Sequence, residues 1–275
     1  MDFTEKQQKI LNKYKETLVF GYAIMSKVQL RMDRMRLKKQ LLYLHMGAIH
    51  SFSEAILRLI GSRPIYDKAA EVLMRSLIEL YINLSFILAG KNQKNAFIFI
   101  VDSIQDRLDF AQKHRSFWKN HPQWNLIFGN KILQYSDWDI FINAKETELK
   151  KLSKKYKFKI PNKIPDIRSR AVIFDNYLKS INKLKEHRSM EKNYILFYKY
   201  FSQIAHLSIS GIDRFVISDS NGVLHFNIDG KPDEIERIAL VTHAWYVGLL
   251  KVFSTEFKVY NKSDFKKLSM EKAIV

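Results

Sequence analysis

Apolar residues recur at three- and four-residue steps through most of this chain, and few helix-breaking residues interrupt them. The 275 residues include only nine glycines and five prolines, which favours long uninterrupted elements. Apolar side chains at this spacing share one side of an α-helix. We therefore predict an all-α fold, a multi-helix bundle of about eight helices.

One segment departs from the helical pattern. Residues 214–228 are rich in β-branched and apolar side chains and are divided by Asn221-Gly222, a pair favoured in two-residue hairpin turns. We predict one small β-hairpin here. Helices over about 189–210 and 232–260 are expected to flank it.

The domain organisation is predicted to be simple. We expect a single helical domain over residues 1–275, because the chain is long enough for one sizeable core. The densest basic segment, residues 145–165, is predicted to connect two helical halves. It is either a solvated helix with a linker or a contact surface for a polyanion. Residues 262–275 are predicted to form a basic, mobile tail.

The net charge of +18 is the strongest compositional signal. Such an excess attracts polyanions by steering and counterion release, so we expect nucleic acid as a partner before an anionic membrane surface. RNA is the expected form rather than DNA. Lysine greatly outnumbers arginine, however, and an AT-rich genome produces the same bias, so the charge alone does not assign a partner.

The residue inventory excludes several classes of site. No cysteine is present, so disulfides, thiol catalysis and Cys-ligated metals are excluded, and a reducing cytoplasm is the expected location. The chain has no phosphate-cradling glycine loop and no dinucleotide fingerprint, so we expect no cofactor. The most apolar stretches, residues 77–89 and 96–101, are too short for a membrane span.

Two helices carry polar side chains in apolar surroundings. Tyr198, Ser202 and His206 are spaced i, i+4 and i+8, so they are expected to share a helix face. Arg75 and Glu79 lie among Leu, Ile, Met and Tyr on another helix, where buried charges need partners. We predict that these five side chains form one polar site.

The same residues carry a resemblance to a known family. The Arg-Ser-Leu-Ile-Glu stretch at residues 75–79, followed by Tyr198, Ser202, His206 and a short hairpin, resembles a family of bacterial helical proteins catalogued as a domain of unknown function. The resemblance covers roughly residues 50–230. It implies a helical bundle with Arg and His in its site and, by analogy, a link to HEPN-type ribonucleases and phage-defence proteins. A homodimer is expected from the same analogy.

HEPN-type ribonucleases carry Arg and His on one helix, separated by four to six residues. The His manages the proton of the 2′-hydroxyl and the Arg the phosphate charge. Upstream of His206 this chain has Lys199 instead of Arg. Three pairs elsewhere have the required spacing, where chance gives about one: Arg107 with His114, Arg115 with His121, and Arg237 with His243. Arg237 and His243 lie within a predicted helix and form the alternative site.

Two hypotheses follow for function. In the first, the protein is a metal-independent, ribonuclease-like effector of a bacterial toxin or anti-phage system. His206 is its acid and base, Arg75 binds phosphate, Glu79 orients one of them, and Ser202 and Tyr198 donate hydrogen bonds. In the second, the bundle is non-catalytic and its basic surface binds nucleic acid or an acidic partner protein.

The second hypothesis assigns the same residues to structure. His206 is then a core histidine, and Arg75 and Glu79 form a network that fixes helix register. A metal site of His206, Glu79, His50 and Glu54 is a minor alternative, because the chain lacks a closely spaced carboxylate pair.

Overall fold

The described part of the protein is predominantly helical. The structure, a computed structural model, describes residues 3–28, 35–121, 135–184, 189–206, 216–218, 221, 224–226, 232–259 and 262–270. The helices are α1 (Glu5–Ser26), α2 (Leu37–Ile60), α3 (Asp67–Ala89), α4 (Lys94–Asn120), α5 (Tyr135–Tyr156), α6 (Ile167–Ser180), α7 (Met190–Asn193), α8 (Lys199–Ala205) and α9 (Pro232–Phe257). The predicted all-α class is confirmed.

The contacts divide the chain into two compact units. The first contains residues 1–86 and 167–275, and the second contains residues 87–166. The prediction of a single domain over residues 1–275 stays a prediction.

The core of the first unit is built where α1, α2 and α9 pack together. Thr4 and Gln7 form a capping box that fixes the start of α1, because their side chains satisfy backbone N–H groups at the helix N-terminus. Gly21 permits the close approach of these two helices, because a Cβ there would lie 1.8 Å from the hydroxyl of Tyr246. That hydroxyl contacts Nδ1 of His50 on α2 at 2.8 Å, so a partly buried polar contact joins α2 and α9 beside Gly21 of α1.

The segment predicted as one helix over about 189–210 is interrupted. A π-helical turn, Tyr194–Tyr198, lies between α7 and α8, and the helix ends at Ala205. Its start is fixed by the buried carboxylate of Asp175 on α6. This side chain accepts hydrogen bonds from the backbone N–H groups of Met190 (2.7 Å) and Glu191 (3.1 Å), which would otherwise lack acceptors at a helix N-terminus.

The two strands of the first unit are short. Val216–Ser218 pairs antiparallel with Leu224–Phe226, and Ile217 lies opposite His225. Asn221 lies in the turn, while Gly222 is outside the described residues.

The start of the predicted mobile tail is folded. A 3₁₀ helix, Lys262–Leu268, follows α9, and Phe265, Leu268 and Met270 are buried. These three apolar side chains pack against the rest of the protein, and the mobility of the tail stays a prediction. Residues 271–275 are outside the described residues.

The second unit is built on α4 and α5, which pack along each other. Residues 145–156, predicted as part of a connector, form the C-terminal half of α5. Trp138 is buried within the same helix. After α5 the chain turns back, and the ring of Phe158 lies 5.5 Å from that of Phe97 on α4, measured between centroids. Only residues 157–166 therefore have the extended character of a connector.

Two helices, α3 and α9, are long and apolar enough to cross a membrane by length and composition alone. About half of the most apolar window of each, 50% and 56%, is buried inside the protein. Core helices of soluble proteins commonly have this composition, so the finding is weak evidence for a span.

Candidate functional site

The side chain of Arg75 joins α3 to the helix that carries the predicted polar row. Its Nε–H donates to the hydroxyl of Ser202 at 2.9 Å, and its Nη2–H donates to the hydroxyl of Tyr198 at 3.1 Å. Its Nη1 lies 3.9 Å from Oε2 of Glu79, which is too far for a hydrogen bond. The structure thus brings together four of the five predicted site residues.

The two hydroxyls keep hydrogen-bonding capacity. A hydroxyl that accepts a bond from Arg75 still has its own proton to donate. Burial raises the pKa of Tyr198, and the negative charge of Glu79 raises it further, against the opposing effect of Arg75. Tyr198 is therefore protonated at neutral pH, and the cluster presents two O–H donors beside a guanidinium group.

An aromatic stack lies next to this cluster, at the two ends of the π-helical turn. The rings of Tyr194 and Tyr198 are stacked at 5.1 Å between centroids, and Cζ of Arg75 lies 5.1 Å from the centroid of the Tyr198 ring.

Arg75 and Glu79 are less buried than the sequence suggested. Their side chains are 25% and 41% exposed, so the expectation that both charges are buried among apolar residues is wrong. The exposed side of α3 at this turn leaves the guanidinium group within reach of solvent and of a ligand.

His206 lies at the end of the helix. It is the residue that follows α8, and its N–H donates to the carbonyl of Ser202 at 3.0 Å. Its side chain is exposed, and the structure shows no hydrogen bond from the imidazole to another described residue. The expectation of a core histidine is therefore wrong, while the predicted role in catalysis stays a prediction.

Two of the three pairs with HEPN-type spacing, Arg107 with His114 and Arg115 with His121, lie in the second unit. Arg115 pairs with Asp139 at 2.8 Å, and His121 contacts the carbonyl of Phe117. His114 lies against the ring of Phe110 at 4.0 Å between centroids. These contacts give no indication of a shared Arg and His site in the second unit.

His243 is a buried structural histidine. Its Nε2 lies 3.0 Å from the hydroxyl of Thr17 on α1. Burial, together with the charges of Lys13 and Lys251, lowers the pKa of His243 to about 4. It is therefore neutral at physiological pH, and it contacts α1 while Arg237 contacts α3.

Arg237 belongs to a charge network around the buried carboxylate of Glu71, which the sequence interpretation missed. Its Nη2 bonds the carboxylate of Glu71 on α3, and its Nε donates to Oε2 of Glu234 at 2.5 Å. Glu71 is fully buried, and Nζ of Lys68 lies 3.8 Å from its second oxygen. Ala69-Ala70 and Val72-Leu73 flank Glu71, so the same signal that drew attention to Arg75, a charge in an apolar run, was present.

No metal site is found in the part of the chain that the structure describes. No group of three or more His, Asp or Glu side chains there could hold an ion. His50, one of the proposed ligands, contacts Tyr246, and Glu54 pairs with Arg58.

The fold and this site define an all-α protein in which an arginine links two helices through neutral hydroxyl groups. The family of unknown function DUF5677 matches residues 39–223, more than half of the chain, and the protein belongs to this family. The matched region contains Arg75, Tyr198, Ser202 and His206 and ends before α9. No curated protein and no solved structure matches the chain.

Proposed function

We propose that this protein acts on nucleic acid, RNA rather than DNA, in the cytoplasm, and that the Arg75 cluster binds a phosphate group. The observation that carries the proposal is the neutral character of the closest partners of Arg75. Ser202 and Tyr198 hold the guanidinium group without cancelling its charge, and the carboxylate of Glu79 stays 3.9 Å away. A positioned cation with adjacent O–H donors suits a phosphate oxygen.

The reaction we propose is metal-independent cleavage of RNA. His206 follows Ser202 by four residues, a rise of roughly 6 Å along a helix, and its exposed imidazole can reach a substrate. In this proposal the imidazole takes the proton of a 2′-hydroxyl and returns a proton to the leaving 5′-oxygen. Arg75, Tyr198 and Ser202 stabilise the charge that develops on the phosphate.

A cleavage assay with labelled RNA and DNA tests this proposal. RNA cleavage should persist in the presence of a chelator, and DNA should stay intact, because it lacks the 2′-hydroxyl. His206→Ala should lower the cleavage rate at least about 100-fold with an unchanged melting temperature. Arg75→Met should also lower it, while Arg58→Met, a matched change at an exposed ion pair, should not. Absence of cleavage under all conditions would contradict the catalytic proposal.

A second candidate is binding without catalysis, and the charge of α5 favours it. Residues 149–165 contain seven lysines and no acidic residue, and Lys150, Lys151, Lys154 and Lys155 are exposed. If this candidate is correct, His206→Ala and Arg75→Met leave RNA affinity nearly unchanged, while affinity falls steeply with salt.

A role as an effector of a toxin or anti-phage system is part of the first proposal. Controlled expression in a bacterial host should arrest growth for the native chain and not for His206→Ala at equal protein level. Normal growth with abundant native protein, in uninfected and in phage-infected cells, would oppose this role. Light scattering during gel filtration would test the homodimer proposed with it.

A further inference from the structure

A groove in the second unit has the composition of a nucleotide site. It has a volume of about 450 Å³, within the range of roughly 300–1,000 Å³ that small-molecule sites occupy. It lies where the chain turns back after α5 and passes the first residues of α4. The residues of its lining are Lys94, Phe97, Ile98, Lys157, Phe158, Lys159, Ile160, Pro161 and Asn162.

The apolar part of the groove is held in place by the core. Phe158 is partly exposed, and one side of its ring packs on the buried ring of Phe97. The backbone carbonyl of Phe158 accepts a hydrogen bond from Ser153 on α5 at 2.7 Å, which ties the returning segment to the helix. Ile98 and Pro161 extend the apolar lining. The groove therefore offers a preformed surface for a flat, apolar face.

The charged part of the groove is entirely positive among the residues that line it. Lys94, Lys157 and Lys159 are exposed, and the structure shows no carboxylate among the lining residues. Lys94 is also the first residue of α4, so the positive end of that helix dipole lies beside it. Exposed lysines next to an apolar surface suit a ligand that combines phosphate groups with a ring.

We propose that this groove binds an unpaired nucleotide of a single-stranded nucleic acid. The base lies against Phe158 and the neighbouring apolar side chains, and the lysines contact the phosphates on either side. A base within a duplex has both faces stacked, so it cannot occupy the groove without leaving the helix. The proposal rests on the proposed function in one respect, that the polyanion is nucleic acid, and it concerns residues outside the Arg75 cluster.

The test measures the affinity of the full chain for fluorescent oligonucleotides by anisotropy. A 12-residue oligothymidylate is the main probe, because DNA resists 2′-hydroxyl chemistry and reports binding without cleavage. A DNA hairpin duplex with a similar number of phosphates is the comparison, and vesicles containing phosphatidylserine test a lipid surface. The native chain should bind the single strand at least about tenfold more tightly than the duplex, since only the single strand offers free base faces.

Two groove variants and one matched control locate the site. Phe158→Leu keeps an apolar contact with Phe97 but removes the ring, and it should weaken single-strand binding at least about fivefold. Lys94→Gln with Lys159→Gln should lower the slope of log affinity against log salt by about 0.7 for each phosphate that the variant no longer neutralises. Lys113→Gln with Lys119→Gln makes the same change of charge at exposed positions of α4 outside the groove lining and should have a smaller effect.

The outcomes separate this inference from the proposed function. The groove proposal is overturned if the two lysine double variants weaken single-strand affinity equally, or if Phe158→Leu has no effect on that affinity. Either result leaves the proposal of RNA cleavage at the Arg75 cluster intact. Groove-dependent binding with no RNA cleavage supports the groove and overturns the catalytic proposal. Absence of binding to any oligonucleotide, or tighter binding to the anionic vesicles, overturns the groove as a nucleic-acid site.

Discussion

Arg75 on α3 and Arg237 on α9 both contact residues 198–202, but the groups that bond the two guanidinium groups differ in charge. Arg75 bonds the hydroxyls of Ser202 and Tyr198, whereas Arg237 bonds two carboxylates and lies within 6 Å of the ring centroids of Tyr200 and Phe201. The charge of Arg237 is compensated inside the protein, and that of Arg75 is not fully compensated. The difference indicates that Arg237 stabilises the fold and that Arg75 is available for an anion.

The largest effect on stability is expected at Arg237. Arg237→Met removes the closest ion-pair partner of the fully buried carboxylate of Glu71 and leaves Lys68 at 3.8 Å, and loss of one partner of a buried pair costs about 3 kcal/mol. Urea unfolding monitored by circular dichroism measures this loss. Arg58→Met, at an exposed pair with Glu54, should cost less than about 1 kcal/mol. Equal losses of unfolding free energy in the two variants would contradict the structural role assigned to Arg237.

The cap at Asp175 is expected to have the next largest effect. Asp175→Ala removes the acceptor of three hydrogen bonds and leaves two N–H groups unsatisfied, which costs about 2 kcal/mol. Asp175→Asn keeps one oxygen and should cost less. Thermal unfolding measures both. Because this cap fixes the helix that carries the partners of Arg75, an unchanged melting temperature would show that the helix is held by packing alone.

The stability of the protein should also depend on pH, through the buried His243 on α9. His243 has a pKa of about 4 in the folded protein, lowered by burial and by Lys13 and Lys251, and about 6.5 when unfolded. Between these values the unfolded chain binds the proton and the folded protein does not. The contribution of neutral His243 to the free energy of unfolding is therefore complete above pH 6.5. It declines as the pH falls toward 4, by at most about 1.4 kcal/mol per pH unit.

Unfolding curves at pH 7.5 and pH 5.5 should show this decline. His243→Gln removes the titrating group, so the difference in stability between the two pH values should shrink by about 1 kcal/mol. An identical pH dependence in the variant would mean that His243 has the same pKa in the folded and the unfolded protein.

The smallest effect on stability is expected at Arg75. Arg75→Met leaves two hydroxyls that water can reach, since the arginine side chain is 25% exposed, and the cost should be about 1 kcal/mol or less. A double-mutant cycle with Ser202→Ala measures the coupling of the pair by urea unfolding. A loss as large as that of Arg237→Met would make Arg75 a structural residue and would remove the anchor of the proposed phosphate site.

Part of the candidate site followed from helix spacing. Tyr198 and Ser202 are four residues apart in the sequence, and both contact Arg75 in the structure, as the shared face predicts. His206 follows the same spacing, but the helix ends at Ala205, so the imidazole is exposed. Spacing along a helix could not give this result, because the end of a helix depends on its caps and surroundings.

The sequence by itself determined the helical class and the approximate positions of the helices, because apolar periodicity and the scarcity of Gly and Pro act locally. Tertiary structure alone decided which charges are compensated. Glu71 and Arg237 are separated by 166 positions, and nothing near Glu71 in the sequence indicates that Arg237 is its partner. The environment of a charged side chain depends on the helices that pack around it, and those helices come from distant parts of the chain.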